Sequence, residues 1–221
     1  MPRDDEVIKK DIVDELYWDN RIDAAKVKVT VRAGAVTLAG EVPTYGDLAA
    51  ARAAAWSMAG VTKVTDDLTV SYAAPPPVPS DDDIATHVND LLKWDPAIEE
   101  TDIDVIVANG VVTLEGSVNA HWKRWFAEEK LTGVRGVIDI ENKLAVVPTE
   151  QISDELVAED VVAALDRDVR VNAEDVEVEV NDGIVVLSGS VPTATARAAA
   201  GRDASLTSGV TNVKNELLLT T

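Results

Sequence analysis

Polar and apolar positions alternate with period two over three short stretches. They are Val27-Lys28-Val29-Thr30-Val31, Ile103-Asp104-Val105 and Val176-Glu177-Val178-Glu179-Val180. Such alternation predicts strands with one buried and one wet face. Each follows a segment of helical period. Ile84, Val88, Leu91 and Leu92 fall on one helix face, and a further predicted helix carries Leu156, Val157, Val161, Ala164 and Leu165. Ser80 with Asp83 reads as a capping box and Ser153 as an N-cap. The acidic openings Asp4-Asp5-Glu6, Asp81-Asp82-Asp83 and Asp154-Glu155 suit the positive end of a helix dipole, so they read as helix starts rather than metal sites. Ala33-Gly34, Asn109-Gly110 and Asp182-Gly183 predict hairpin turns into a second strand. An Ala-rich second helix is predicted after Val42, Val118 and Val191. A closing strand follows, carrying Val64 and Leu68, Ile140 and Leu144, and Val213 and Leu217.

The order helix, strand, strand, helix, strand therefore occurs three times, and the sequence repeats with it. Gly34-Ala35-Val36-Thr37-Leu38-Ala39-Gly40-Glu41-Val42 returns 76 residues later as Gly110-Val111-Val112-Thr113-Leu114-Glu115-Gly116-Ser117-Val118. After 73 more it returns as Gly183-Ile184-Val185-Val186-Leu187-Ser188-Gly189-Ser190-Val191. Gly60-Val61, Gly136-Val137 and Gly209-Val210 each begin 20 residues after the closing Gly of that motif. Two landmarks in fixed phase make three copies of one small unit. The boundaries read as residues 1–72, 81–147 and 153–221, joined by a Pro-rich linker at 73–80 and a short one at 148–152. The run Ser71-Tyr72-Ala73-Ala74-Pro75-Pro76-Pro77-Val78-Pro79 reads as a stiff extended spacer that holds copy one further away, with copies two and three closely coupled.

The unit helix, Gly-x-Val-x-Leu-x-Gly-x-Val hairpin, helix, Gly-Val, strand resembles the BON domain (bacterial osmotically inducible protein and nodulation domain). The resemblance implies an α+β fold: three tandem αββαβ domains, each a three-stranded sheet packed against two helices. It also implies no catalysis. Known members of the family are mostly envelope or stress proteins. They are linked to phospholipid binding, chaperoning of envelope proteins, pore or secretin assemblies and, in one cytoplasmic case, potassium binding.

Composition narrows the partners. The 221 residues carry 40 acidic and 20 basic side chains, a formal charge of −20. That excludes broad nucleic-acid binding, because phosphate backbones demand a basic surface. There is no Cys, so neither disulfides nor thiol chemistry contributes. Met1-Pro2-Arg3-Asp4-Asp5-Glu6 runs straight into a helix pattern with no apolar leader. The expectation is a cytoplasmic protein as written, and a periplasmic one for a chain whose leader was removed. No catalytic, cofactor or metal constellation stands out: His87 and His121 lie in different elements, and the Gly34–Gly40 spacing is no phosphate loop. Gly34, Gly40, Gly60, Gly110, Gly116, Gly136, Gly183, Gly189 and Gly209 read as structural turn glycines.

Copy two departs from its siblings. Its second helix opens Asn119-Ala120-His121-Trp122-Lys123-Arg124-Trp125-Phe126, where copy one has Thr44-Tyr45-Gly46-Asp47-Leu48-Ala49-Ala50 and copy three Thr193-Ala194-Thr195-Ala196-Arg197-Ala198-Ala199. Its core stripe reads Ala120, Arg124 (stem only), Ala127, Leu131 and Val134. Trp122, Lys123 and Trp125 then form a candidate membrane or partner surface on the opposite face. Exposed Trp beside cations suits a lipid headgroup layer or a protein interface. Trp18 and Trp94, closing helix one in copies one and two, are expected to be lids on the core. The function expected is a non-enzymatic, stress-associated binding or scaffold protein that uses no cofactor and acts through a protein partner or self-association. A potassium-type monovalent cation sensor and a phospholipid-associated envelope protein are the alternatives.

Overall fold

A computed structural model describes residues 3–20, 22–72, 79–98 and 102–220. Copy one runs α1 (Asp5–Trp18), β1 (Val27–Arg32), β2 (Ala35–Val42), α2 (Tyr45–Ser57) and β3 (Lys63–Val70). Copy two runs α3 (Asp81–Lys93), β4 (Asp102–Ala108), β5 (Val111–Val118), α4 (His121–Leu131), then β6 (Asp139–Asn142) and β7 (Ala145–Val146). Copy three runs α5 (Asp154–Arg167), a 3-10 turn at Ala173–Asp175, β8 (Val176–Asn181), β9 (Ile184–Val191), α6 (Ala194–Leu206), then β10 (Asn212–Asn215) and β11 (Leu218–Leu219). This is the αββαβ order read from the sequence.

Each copy forms its own sheet, with the motif strand in the middle. In copy one β1 pairs antiparallel to β2, Val29 opposite Leu38, and β3 pairs parallel to β2, Val36 opposite Val64. Copy three keeps both registers and copy two keeps the parallel one, but in both the closing strand is interrupted. The break falls where Leu144 and Leu217 turn fully into the core; their counterpart Leu68 stays half-buried on an unbroken strand. The helices pack their apolar stripe on one face of the sheet. Ile8, Ile12 and Leu16 from α1 meet Val36, Leu38, Ala51, Ala55 and Val61. Val157, Val161 and Leu165 from α5 meet Val185, Leu187, Ala200, Ala204 and Val210. Each large side chain so buried contributes roughly 1.5–3 kcal/mol. On α2 and α6 the positions packed into these cores are mostly alanines, Ala51, Ala54 and Ala55 in one and Ala196, Ala199, Ala200 and Ala204 in the other.

The helix starts are capped as the sequence requires. Asp4, Ser80 and Ser153 cap the first helices, and Ser80 with Asp83 closes a full capping box. Thr44 and Thr193 cap α2 and α6.

By backbone contact the chain divides into two compact units, and the division cuts through copy two. One comprises Met1–Glu99, Asp104–Glu115 and Ala127–Lys143; the other comprises Glu100–Ile103, Gly116–Phe126 and Leu144–Thr221. Within the first unit, copy one is not held away from the residues of copy two. The Tyr72 hydroxyl donates to the Val137 carbonyl at 2.6 Å, and the Cα of Gly46 lies so near the Thr132 carbonyl that a Cβ there would sit 2.9 Å from it. Tyr45, buried at the start of α2, has its phenol pushed up to about 12, first by burial and then by the carboxylate of Glu128. An extended spacer sets how far the chain can reach, and does not prevent folding back. Residues 73–78 of that spacer lie outside the described residues.

Candidate functional site

The best-defined local geometry is a clamp that occurs once per copy. The first residue of each opening helix turns its carboxylate onto the hairpin. Asp5 accepts from the amides of Ala33 (2.7 Å) and Gly34 (3.0 Å). Asp81 accepts from Asn109 (2.7 Å) and Gly110 (2.8 Å), and Asp154 from Asp182 and Gly183 (both 2.9 Å). The two amides converge because both turn residues hold positive φ: Ala33 50° and Gly34 75°, Asn109 52° and Gly110 77°, Asp182 50° and Gly183 72°. That is a type I′ hairpin turn. The same turn ties the two sequence landmarks together, since the Gly34, Gly110 and Gly183 carbonyls accept from Thr62, Ile138 and Thr211 beside the Gly-Val pair. The acidic openings are thus helix starts that also fasten a hairpin. The sequence carried a signal for it, the constant spacing of 28 and 29 residues from Asp5, Asp81 and Asp154 to their turns.

All nine glycines singled out as structural have positive φ. The requirement is sharpest at the closing glycine of the motif. A Cβ on Gly40, Gly116 or Gly189 would lie 2.0–2.2 Å from a carbonyl oxygen across the hairpin, that of Lys26, Asp102 or Asp175.

The candidate surface lies on α4. Ala127, Leu131 and Val134 are buried as the stripe requires, while Arg124 and Ala120 are half-buried. Trp122, Lys123 and Trp125 are half-buried too, together with Phe126. Trp122 and Phe126, four residues apart, share a helix face. Their rings meet edge to face at 5.7 Å, and Trp125 meets Phe126 the same way at 6.3 Å. Lys123 Nζ lies 5.8 Å from the centre of the Trp122 ring, a cation–π distance. The structure therefore joins the three residues into one aromatic–cationic cluster around Phe126, which the sequence had not placed in it. Within the second unit, the first residue of this helix touches copy three: His121 is hydrogen-bonded to the Thr211 backbone, and its Nδ1 is buried without a partner. Burial chiefly, then the Arg124 charge, lowers the His121 pKa against that hydrogen bond.

The other tryptophans correct an expectation. Trp18 and Trp94 are 76% and 78% exposed, not lids on the core. The buried stripes Ile8–Ile12–Leu16 and Ile84–Val88–Leu92 end two residues earlier. Two further residues at about 100° each turn the side chain away from the sheet. Among the described residues, no group of three or more His, Asp or Glu could hold a metal ion, and no helix is long and apolar enough to cross a membrane.

Comparison with known proteins adds a family. Over 126 residues the chain is 34% identical to Osmotically-inducible protein Y of Escherichia coli, covering 54% of this chain and 63% of that protein. The chain thus spans less than two thirds of that relative's length. Over 144 residues it is 31% identical to Outer membrane lipoprotein DolP of Haemophilus influenzae, covering 62% of this chain and 73% of that one. A solved C-terminal domain of CdsD, the structural protein of the Chlamydia trachomatis type III secretion system, aligns over 99% of this chain and all of that one, at 16% identity and a TM-score of 0.27. Residues 4–72, 80–148 and 153–221 each match the BON domain, and with the clamp and hairpin repeated in all three, the chain belongs to the BON-domain family.

Proposed function

We propose that this chain is a non-enzymatic, stress-associated scaffold whose second BON domain supplies its specialised contact surface. The observation that carries this reading is the cluster on α4. Copies one and three keep the clamp and the hairpin but have small residues where copy two has Trp122, Lys123, Trp125 and Phe126. A shared scaffold with one altered helix is how a repeat array specialises without rebuilding its core. Half-buried aromatics beside a cation suit a protein contact, and the His121–Thr211 hydrogen bond supports a neighbouring copy as what α4 meets. The Osmotically-inducible name of one relative supports the stress association.

A lipid contact is the second reading, favoured by the Trp122–Lys123 pair and by a relative that is an outer membrane lipoprotein. Vesicle flotation separates the two, with anionic and with neutral lipid, for the full chain and for Trp122→Ala with Trp125→Ala. The scaffold reading expects no flotation of either protein, and a changed mass or shape by light scattering for the variant. Flotation that needs anionic lipid and disappears in the variant would replace it with the lipid reading.

A further inference from the structure

One matched pair of positions carries opposite charge relations in copies two and three. Asp95 and Asp168 each lie 14 residues after the clamp aspartate of their copy, at the end of the first helix. The residue 14 beyond the closing motif glycine, on the second helix, is Lys130 in copy two and Asp203 in copy three. In copy two these positions form an ion pair, Lys130 Nζ to Asp95 Oδ2 at 2.6 Å. In copy three a carboxylate stands where the ammonium would be.

Copy three answers this with an arginine and leaves one oxygen over. Arg170 Nε donates to both Asp168 oxygens, at 2.8 and 3.1 Å, its Nη2 donates to Oδ2, and its backbone amide donates to Oδ1 at 2.9 Å. The Asp168 side chain is only 10% exposed. Asp203, half-buried on α6, lines the same cleft within hydrogen-bonding reach of Asp168, and its Oδ2 is buried with no donor. Two carboxyl groups that meet in this way lack a hydrogen between them. The other charged groups lining the cleft are Asp160 and Arg167, from α5; Arg202 stands beside Asp203 on α6.

We propose that Asp168 and Asp203 share one proton, and that this proton fastens the connection after α5 onto α6, making copy three the acid-tightened member of the array. Burial first, and then the Asp168 carboxylate, raises the Asp203 pKa above its ordinary value, while the Arg170 guanidinium holds Asp168 well below its own. Asp203, raised, stabilises the fold fully below its unfolded value of about 3.9 and loses that contribution as pH climbs through its folded value. Asp168, lowered, stabilises above its unfolded value and loses its contribution as pH falls through its folded value. The pair is therefore tightest in acid, between the two folded values. It loosens towards neutrality, when both groups are charged.

The test uses the full chain, with Asp203→Asn as a neutral mimic of the protonated carboxyl, Asp203→Lys as the residue of copy two, and Asp160→Asn as a control for charge alone. Urea midpoints are followed by circular dichroism from about pH 4 to about pH 8. The carboxyl carbon of Asp203 is titrated by NMR in the wild type, so the outcome does not depend on any variant folding. The proposal expects the Asp203 carbon to titrate above the ordinary aspartate range. It also expects the Asp203→Asn midpoint to match wild type in acid and exceed it increasingly as pH rises, with Asp203→Lys likewise more stable at neutral pH. An Asp203 carbon that titrates at the ordinary value, or an Asp203→Asn profile that merely parallels that of Asp160→Asn, overturns it. A wild-type profile that differs between potassium, sodium and choline chloride at equal ionic strength also overturns it, because a bound cation would then hold the pair in place of the proton.

Discussion

Replacing Asp154 with Ala removes one clamp and leaves its helix cap intact, since Ser153 caps α5 independently. The substitution deletes two charge-assisted hydrogen bonds, to the Asp182 and Gly183 amides, each 2.9 Å long. A hydrogen bond to a charged group contributes about 1.5–3 kcal/mol when its partner is buried. Gly183 is buried and its amide would be stranded, whereas Asp182 is exposed and water can replace its bond. A half-exposed carboxylate and one rehydrated amide put the loss at the lower end for the pair, about 2–3 kcal/mol, with the helix dipole included. For a unit of this size that lowers the melting temperature by roughly 10–20 °C. The control is Glu155→Ala, which removes an exposed charge from the same helix turn. It should cost no more than about 0.5 kcal/mol. Thermal melts give the size of the effect, and amide hydrogen exchange gives its location: Gly183 should lose protection before the core strand β9 does. If Asp154→Ala melts like Glu155→Ala, or Gly183 keeps its protection, the clamp does not hold the hairpin.

Ala33 holds φ 50° where copies two and three have Asn109 and Asp182, so Ala33→Asn should raise the urea midpoint by about 0.5–1 kcal/mol of stability. Gly189→Ala places a Cβ 2.2 Å from the Asp175 carbonyl and should cost more than about 3 kcal/mol, whereas Gly133→Ala meets nothing within 4 Å and should be near neutral; the same melts compare them. The Lys130 ammonium, first, and the Ala97 amide hold the Asp95 carboxyl below its ordinary value, so this pair's contribution is present above about pH 4 and is lost as pH falls through the lowered value. Lys130→Met should reduce the stability lost on acidification, read as a flatter midpoint-against-pH curve on the acid side.

The fold was legible because its signals were local and the hairpin motif occurred three times. Period-two alternation marked β1 and β8, the Ser80–Asp83 box marked α3, and the turn pairs marked the hairpins. What sequence reasoning missed depends on where helices end and on pairs far apart in the chain. Trp18 and Trp94 look like core residues by composition, and only their phase two residues past Leu16 and Leu92 turns them outward. The clamp joins residues 28 positions apart, and the Asp95–Lys130 and Asp168–Asp203 pairs span 35, beyond the reach of any periodicity. On α4 the wheel separated Trp122 and Trp125 from the buried stripe, yet both rings are half-covered around Phe126. Contacts between elements decide such positions, and a pattern along one helix does not contain them.

The account rests most heavily on α4 as a contact helix of a scaffold. Hydrogen exchange of the full chain, wild type against Trp122→Ala with Trp125→Ala, tests that directly. The prediction is faster exchange in residues 121–126 together with the Thr207–Asn212 segment around the His121 partner, while the Ala33–Gly34 hairpin stays as protected as before. Unchanged exchange at Thr207–Asn212 would show that the aromatic cluster supports nothing beyond its own helix, and would contradict the claim.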